Sequence, residues 1–528
     1  MRKQLAWLVG GLTVASLITP GLALETSVGE GGINARRLHS PPYDLRGRKI
    51  GIGQVEVGRP SKFGLDKASS QHPVLSVYDV FHRDEPAKAN MLVDAHAAMV
   101  AMVMVSHDKR LQGVAPEARL YASAVGSLQG GGQPQECVSS QHVALQNGGD
   151  VRAINFSFGE PLNRDPRENP VLDGNALLTR CIDWSARVHN VLYVIAGNQG
   201  GGGIPIPTDN YNGINVASTM KRDGEYRKLD FSNLSDLPIG IGRLLIEQEI
   251  NIGGRRAINL VAPGNHVEVY NLEGRQVPVT GTSFAAPHVT ATVALLQEFG
   301  DRQLEANISQ WSIDSRRSEV MRAVLLNSAD KVKDTGNGLF LGMERTILDK
   351  DNLTWLDGDA AREPETPLDI EMGTGQLNAF RAYQQFSGGQ WSPESDVPPI
   401  GWDYGTVSAR MTQEYVLAQP LSGGSRAAIT LTWQRRVELE DRNGNELYDP
   451  GESFRDRGLN DLNIALVPLD GNAAATRTCA SMSEVDSIEH IFCEVPQTGR
   501  YKIRVQYQRQ VHEAEQSYAI AWWTKPNS

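Results

Sequence analysis

Gly281-Thr282-Ser283-Phe284-Ala285-Ala286-Pro287-His288-Val289-Thr290-Ala291 is the stretch from which the rest of the chain can be read. Small residues before the serine permit a tight turn, and Pro287 fits an early helical position where no amide hydrogen bond is lost. The pattern predicts a helix over Ala285–Phe299 with Ser283 at its N-terminus. There the unpaired amides and the positive dipole end favour a developing oxyanion, and the Ser283 amide is itself a candidate donor. A serine hydroxyl is a weak nucleophile until a neighbouring base takes its proton, so the chain should also supply a histidine. Working outward, short apolar runs alternate with helix-like stretches from Lys49 to about Ala382. The runs are Ile50–Val57, Ala118–Val125, Val151–Phe156, Val191–Ile195, Gly213–Ala217 and Ile258–Val261; the helical stretches include Ala95–Val105 and Asn175–Val188. This alternation predicts an α/β domain, a parallel sheet flanked by helices, with catalytic groups at the carboxyl ends of the strands.

The serine stretch closely resembles the nucleophile motif of the subtilisin family. Further resemblances follow in the family's order: Gly113-Val114-Ala115-Pro116, Ile154 to Gly159, Phe231-Ser232-Asn233, Val261-Ala262-Pro263-Gly264 and Gly373 to Asn378. The resemblance implies a serine endopeptidase acting on protein or peptide substrates. It makes His96, in Asp94-Ala95-His96-Ala97-Ala98-Met99, the general base, although the family usually has Gly, Thr and His in the three places after the histidine. The family's aspartate falls at the end of the first core strand, where Ile52-Gly53-Gln54-Val55-Glu56-Val57-Gly58 carries Glu56 instead. The added methylene moves the carboxylate by ~1.5 Å unless the backbone retreats. Asp94 is the alternative partner for His96, against a plain role as the cap of its helix. Asn198, closing Val191 to Asn198, inherits the family's side-chain oxyanion donor, and Ala196 and Gly197 wall the pocket for the residue before the scissile bond. The edge Ser157, Phe158 and Gly159 and the loop 126–132 are implied to bind the substrate backbone as added strands.

After Ala382 the composition changes. Ser387, Gly388 and Gly389, then Pro393, Pro398 and Pro399, can continue neither helix nor central strand. Beyond them a period of two at Ile429-Leu431-Trp433, Leu462-Ile464-Leu466 and Tyr501-Ile503-Val505-Tyr507 predicts an all-β sandwich or jelly roll. Trp433, Trp522 and Trp523 lie in these patterns, which favours core packing over a carbohydrate-binding platform. The expected organisation is therefore a signal peptide at 1–23, an N-terminal extension at 24–44, the peptidase domain at 45–386, a linker at 387–400 and the sandwich at 401–528. Within the sandwich, Asp441, Asn443, Asn445, Asp449 and Glu452 offer side-chain oxygens at loop positions one, three, five, nine and twelve, with the Leu447 carbonyl at seven. That spacing suits a structural calcium ion, although Gly444 and Glu446 depart from the usual EF-hand order.

The formal charge of −11 and the absence of a basic run argue against nucleic acid. Arg2 and Lys3, then an apolar stretch from Leu5 to about Ile18 with small residues at Gly21 and Ala23, read as a secretory leader. No later segment is apolar enough to cross a bilayer, so export to a periplasmic or extracellular location is expected. Four cysteines in an exported chain allow three connectivities. Cys137 with Cys181 and Cys479 with Cys493 is the arrangement that does not tie the two predicted domains together. The second functional reading is a non-enzymatic relative that uses the same groove to bind peptides or surface polymers. Glu56 and the altered histidine helix favour it, whereas Ser283, His96 and Asn198 together weigh against it.

Overall fold

The computed structural model describes residues 23–67, 74–126, 132–197, 206–229, 251–252, 255–469 and 479–527. The expected leader lies almost wholly outside them, as do Asn198, Phe231 to Asn233 and most of loop 126–132. The central element is β1, Gly51–Glu56, a strand buried at every position. Such strands need apolar or small residues on both faces because helices cover both sides of a parallel sheet. β1 pairs in parallel with β4 (Arg119–Ala124) on one side and β5 (Val151–Phe156) on the other. The sheet continues in parallel through β6 (Leu192–Ala196), β7 (Ile214–Arg222) and Leu260–Pro263, and beyond β4 to β2 (Val77–His82). Antiparallel pairs add β3 (Glu85–Pro86) beside β2 and β8 (Glu225–Lys228) beside β7, and Ile347–Leu348 pairs in parallel with β8 as the outermost strand on that side.

The serine stretch opens a helix running Thr282–Glu305, longer than the sequence pattern suggested, and its residues are buried continuously from Thr282 to Glu298. A helix apolar around its whole circumference belongs in a core. Residues 24–44 are part of that core: Val28, Ile33, Ala35 and Leu38 are fully buried in one cluster with Leu295 and Val320. The Ser27 hydroxyl also bonds His288 Nε2 at 3.0 Å, one turn beyond the nucleophile.

The carboxyl-terminal region contains two four-stranded antiparallel sheets. One consists of Ile400–Ser408, Glu515–Trp523, Arg426–Trp433 and Ile488–Glu494; the other of Thr412–Val416, Tyr501–Arg509, Asp461–Pro468 and Ala480–Ser481. The alternating residues, including Trp433 and Trp522, form the buried layer between them. The opposite face of the first sheet is also covered, because Trp402, Ile488, Ala519 and Ala521 join the catalytic core beside Phe386. Segment 387–400 is fixed on both sides: the Gln390 amide donates to the Gln310 carbonyl at 2.8 Å and the Trp391 amide to Trp402 at 2.9 Å. Buried Arg435 adds a polar tie, donating to the Gly174 carbonyl at 2.7 Å and pairing with Asp183 at 3.2 Å. The disulfides are Cys137–Cys181 and Cys479–Cys493. Among the described residues no helix is long and apolar enough to cross a membrane.

Candidate active site

β1 ends at Glu56, whose carboxylate is almost completely buried. One of its oxygens, Oε2, meets His96 Nδ1 at 2.7 Å. The other, Oε1, accepts from Gln54 Nε2 at 2.8 Å, and the same nitrogen donates to the Ala97 carbonyl at 2.9 Å. Gln54 therefore ties the carboxylate to the helix that carries the histidine. The role of Gln54 was not read from sequence, yet a signal existed: residues two apart on a strand share a face. The longer glutamate is thus accommodated at hydrogen-bond distance from the imidazole.

His96 stands in the first turn of the helix Ala95–Val105, whose N-cap is Asp94. The Ala97 amide donates to Asp94 Oδ1 at 2.9 Å, so the capping role is the one the geometry displays. Burial works to lower the imidazole pKa, but the Glu56 carboxylate, with a smaller effect of Asp94, outweighs it and raises His96 above its ordinary 6.5. The imidazole is nonetheless 40% exposed, and its ring lies 5.6 Å from that of Phe284, the neighbour of Ser283. Glu56, Asp94 and His96 have ligand atoms within 4.8 Å of one another, the one such metal-capable group among the described residues.

Ser283 lies in the first turn of its helix, after Gly281 with φ 152°. That left-handed conformation suits glycine alone. Its hydroxyl donates to the Ser157 carbonyl at 3.3 Å, while the Ser157 hydroxyl donates to the Ser283 carbonyl at 2.9 Å. Asn155 Nδ2 donates to the Ser157 hydroxyl at 2.8 Å, and Thr282 Oγ1 donates to the Gly197 carbonyl at 2.8 Å. The nucleophile turn is thereby fastened to the ends of β5 and β6, next to both expected substrate-binding edges. Of the expected residues, Glu56, His96, Ser283, Ser157, Phe158, Gly159, Ala196 and Gly197 converge on this end of the sheet. Asn198 lies outside the described residues.

The loop 441–452 sits elsewhere, on the hairpin Arg436–Glu440 and Ser453–Gly458. Asp441 accepts from the amides of Gly444 at 2.7 Å and Glu446 at 2.8 Å, and these amides hold its carboxyl below the ordinary range. Asn443 and Asn445 donate to Asp449 Oδ2 at 2.7 and 2.9 Å, and Glu452 accepts from the Arg442 and Asp449 amides. The Leu447 amide donates to Asn445 Oδ1 at 2.8 Å.

The model of the subtilase family matches residues 61–343, more than half of the chain. The chain belongs to the subtilase family and is a serine-type peptidase. His96 and Ser283 fall inside the matched span, and Glu56 lies just before it. The major intracellular serine protease of Bacillus subtilis (strain 168) is 23% identical over 279 residues, covering 50% of this chain and 74% of the relative. Thermitase of Thermoactinomyces vulgaris is 24% identical over 272 residues, 51% and 79% of the respective chains. Subtilisin Savinase of Lederbergia lenta is 28% identical over 239 residues, 44% and 74%. Among solved structures, the patellamide maturation protease PatA aligns with 21% identity and a TM-score of 0.40 over 65% of this chain and 98% of its own.

Proposed function

We propose that this peptidase hydrolyses internal peptide bonds with Ser283 as nucleophile, His96 as general base and Glu56 in the place usually taken by aspartate. The observation that carries this reading is the 2.7 Å contact between Glu56 Oε2 and His96 Nδ1, made by a buried carboxylate held from behind by Gln54. Glu56 accepts from Nδ1–H and so keeps Nε2 unprotonated, the tautomer that takes the Ser283 proton. The Ser283 amide and the Asn198 side chain hold the oxyanion of the tetrahedral intermediate. His96 then returns the proton to the leaving amine, and water deacylates the enzyme. The acyl half of the substrate lies along the Ser157–Gly159 edge as an added strand, and its last side chain meets Ala196 and Gly197.

The leader residues Arg2, Lys3 and Leu5–Ile18 support export to a periplasmic or extracellular location. Asp441, Asn443, Asn445, Leu447, Asp449 and Glu452 form an all-oxygen donor set that fits a hard cation. In this reading they hold a calcium ion that rigidifies the hairpin and supplies no chemistry to hydrolysis. The test is turnover of quenched peptides and of an unfolded protein by the wild type beside Ser283→Ala and His96→Ala. Cleavage by the wild type alone is expected. Equal cleavage by Ser283→Ala would remove the serine from the mechanism.

A further inference from the structure

Two carboxylates next to the substrate edge have no counterpart in the mechanism. Glu160 directly follows Ser157-Phe158-Gly159, and Glu136 lies in the first turn of the helix Gln133–Ala144, just after loop 126–132. Both are buried, Glu136 at 0% and Glu160 at 1% relative exposure, and among the described residues no N–H or hydroxyl donates a hydrogen bond to any of their four carboxylate oxygens. The two groups lie within hydrogen-bond reach of each other. Gln133 Nε2, in the same helical turn, is a further buried polar atom without a partner. The positions are rigid. Glu136 is followed by Cys137, whose disulfide to Cys181 pins the helix. Glu160 exchanges backbone hydrogen bonds of 2.9 and 3.1 Å with Ile206.

A pair of facing carboxylates cannot hold two negative charges in a buried site without a cation. Burial, with Glu160 behind it, accordingly drives the Glu136 carboxyl well above the ordinary range. Among the described residues the cation paired with them is Arg164, whose Nη1 stands 3.5 Å from Glu160 Oε2 while its own side chain remains 56% exposed. The pair therefore lies just beneath the surface, under a loosely seated guanidinium supplied by the chain itself. Such a guanidinium presents a planar fork of donors that matches carboxylate oxygens better than a lysine ammonium does.

We propose that Glu136 and Glu160 form the acceptor for a basic side chain of the substrate, arginine above lysine, and that Arg164 occupies this place when no substrate is bound. The position follows from the reach of the chain. Ser157, whose carbonyl receives the Ser283 hydroxyl, and Glu160 are three residues apart, at most about 10 Å where the chain is extended. The recognised side chain is then three or four residues before the bond that is cut. This inference rests on the peptidase reading, specifically on the acyl half of the substrate lying along the Ser157–Gly159 edge.

The test measures binding of fluorescein-labelled peptides to the Ser283→Ala protein by anisotropy, with arginine or its neutral isostere citrulline placed in turn at each position before the cleavage point. At one position, three or four residues before it, arginine is expected to bind at least tenfold tighter than citrulline. Glu136→Gln and Glu160→Gln should each reduce that ratio below threefold. Arg164→Ala, a surface change, should tighten the arginine peptide at least threefold, a readout independent of how well the glutamine variants fold. Equal binding of arginine and citrulline at every position, survival of the ratio in both glutamine variants, or no gain in Arg164→Ala would overturn the proposal. Cleavage of the citrulline peptides by the wild type reports separately on the peptidase reading: cleavage without arginine preference removes the subsite and leaves the peptidase, and arginine preference in binding without cleavage does the reverse.

Discussion

Replacing Glu56 by glutamine keeps the shape of the side chain and removes its charge, and the surrounding hydrogen bonds determine how the new amide must sit. Gln54 Nε2 donates both to Glu56 Oε1 and to the Ala97 carbonyl, so it cannot turn over without facing its oxygen to that carbonyl. The new amide therefore presents its oxygen to Gln54 and its NH₂ to His96 Nδ1. A donor at that place forces the tautomer with the proton on Nε2, which cannot accept from Ser283. Loss of the correct tautomer and of imidazolium stabilisation is worth about 10⁴ in kcat. The same substitution removes the principal influence that raises His96. The acid limb of the kcat/KM profile should consequently move to lower pH. The assay is the pH dependence of quenched-peptide hydrolysis by wild type and Glu56→Gln, with folding verified by circular dichroism. A loss of less than tenfold together with an unmoved acid limb would refute the assignment of Glu56 as the partner of His96.

Because the base must be neutral, and the Glu56 carboxylate raises His96 despite burial, wild-type activity should disappear as pH falls through a midpoint above 6.5; a midpoint clearly below it contradicts the pairing. Asn198→Ala should lower kcat by about 10² to 10³ with little change in KM, measured by steady-state kinetics. Removing Cys137–Cys181, with its sequence separation of 44, should cost about 4 kcal/mol, and removing Cys479–Cys493, separation 14, about 3 kcal/mol, both read from denaturant midpoints of the Ser283→Ala background. Calcium at a hundredfold excess over its dissociation constant should add about 2.7 kcal/mol of stability, lost on chelation and in Asp441→Ala; an unchanged melting temperature removes the ion from loop 441–452.

The part of the site carried by local patterns was legible before any coordinates. The helix Ala95–Val105 and the strand Val151–Phe156 occur at the positions their periodicity and composition indicate, because each is an uninterrupted run of residues suited to one environment. The turn at Ser283 was legible for the same reason, since Gly281 must adopt a backbone open only to glycine. The buried role of Trp433 and Trp522 followed from strict alternation within their strands. What depends on distant residues meeting left at most a partial local trace. Gln54 matters because it reaches Ala97, forty-three positions away. Glu136 and Glu160 face each other only after two different elements pack, and each alone resembles an ordinary surface glutamate. Residues 24–44 read as an extension because their few apolar side chains are too dispersed to form a periodic signal, yet Val28, Ile33 and Leu38 fill the catalytic core. The second buried face of the sandwich was hidden likewise, since Ala519 and Ala521 are too small to mark an interface by composition.

The central claim is that Ser283 is activated by the His96–Glu56 pair. Labelling of the purified protein by a fluorophosphonate probe, with the modified peptide mapped by mass spectrometry, tests it most directly. The account predicts covalent modification at Ser283 that is absent in Ser283→Ala and slowed by orders of magnitude in His96→Ala and Glu56→Gln. A folded wild type that does not label, beside a Glu56→Asp variant that does, would contradict it by showing that glutamate at this place silences the serine.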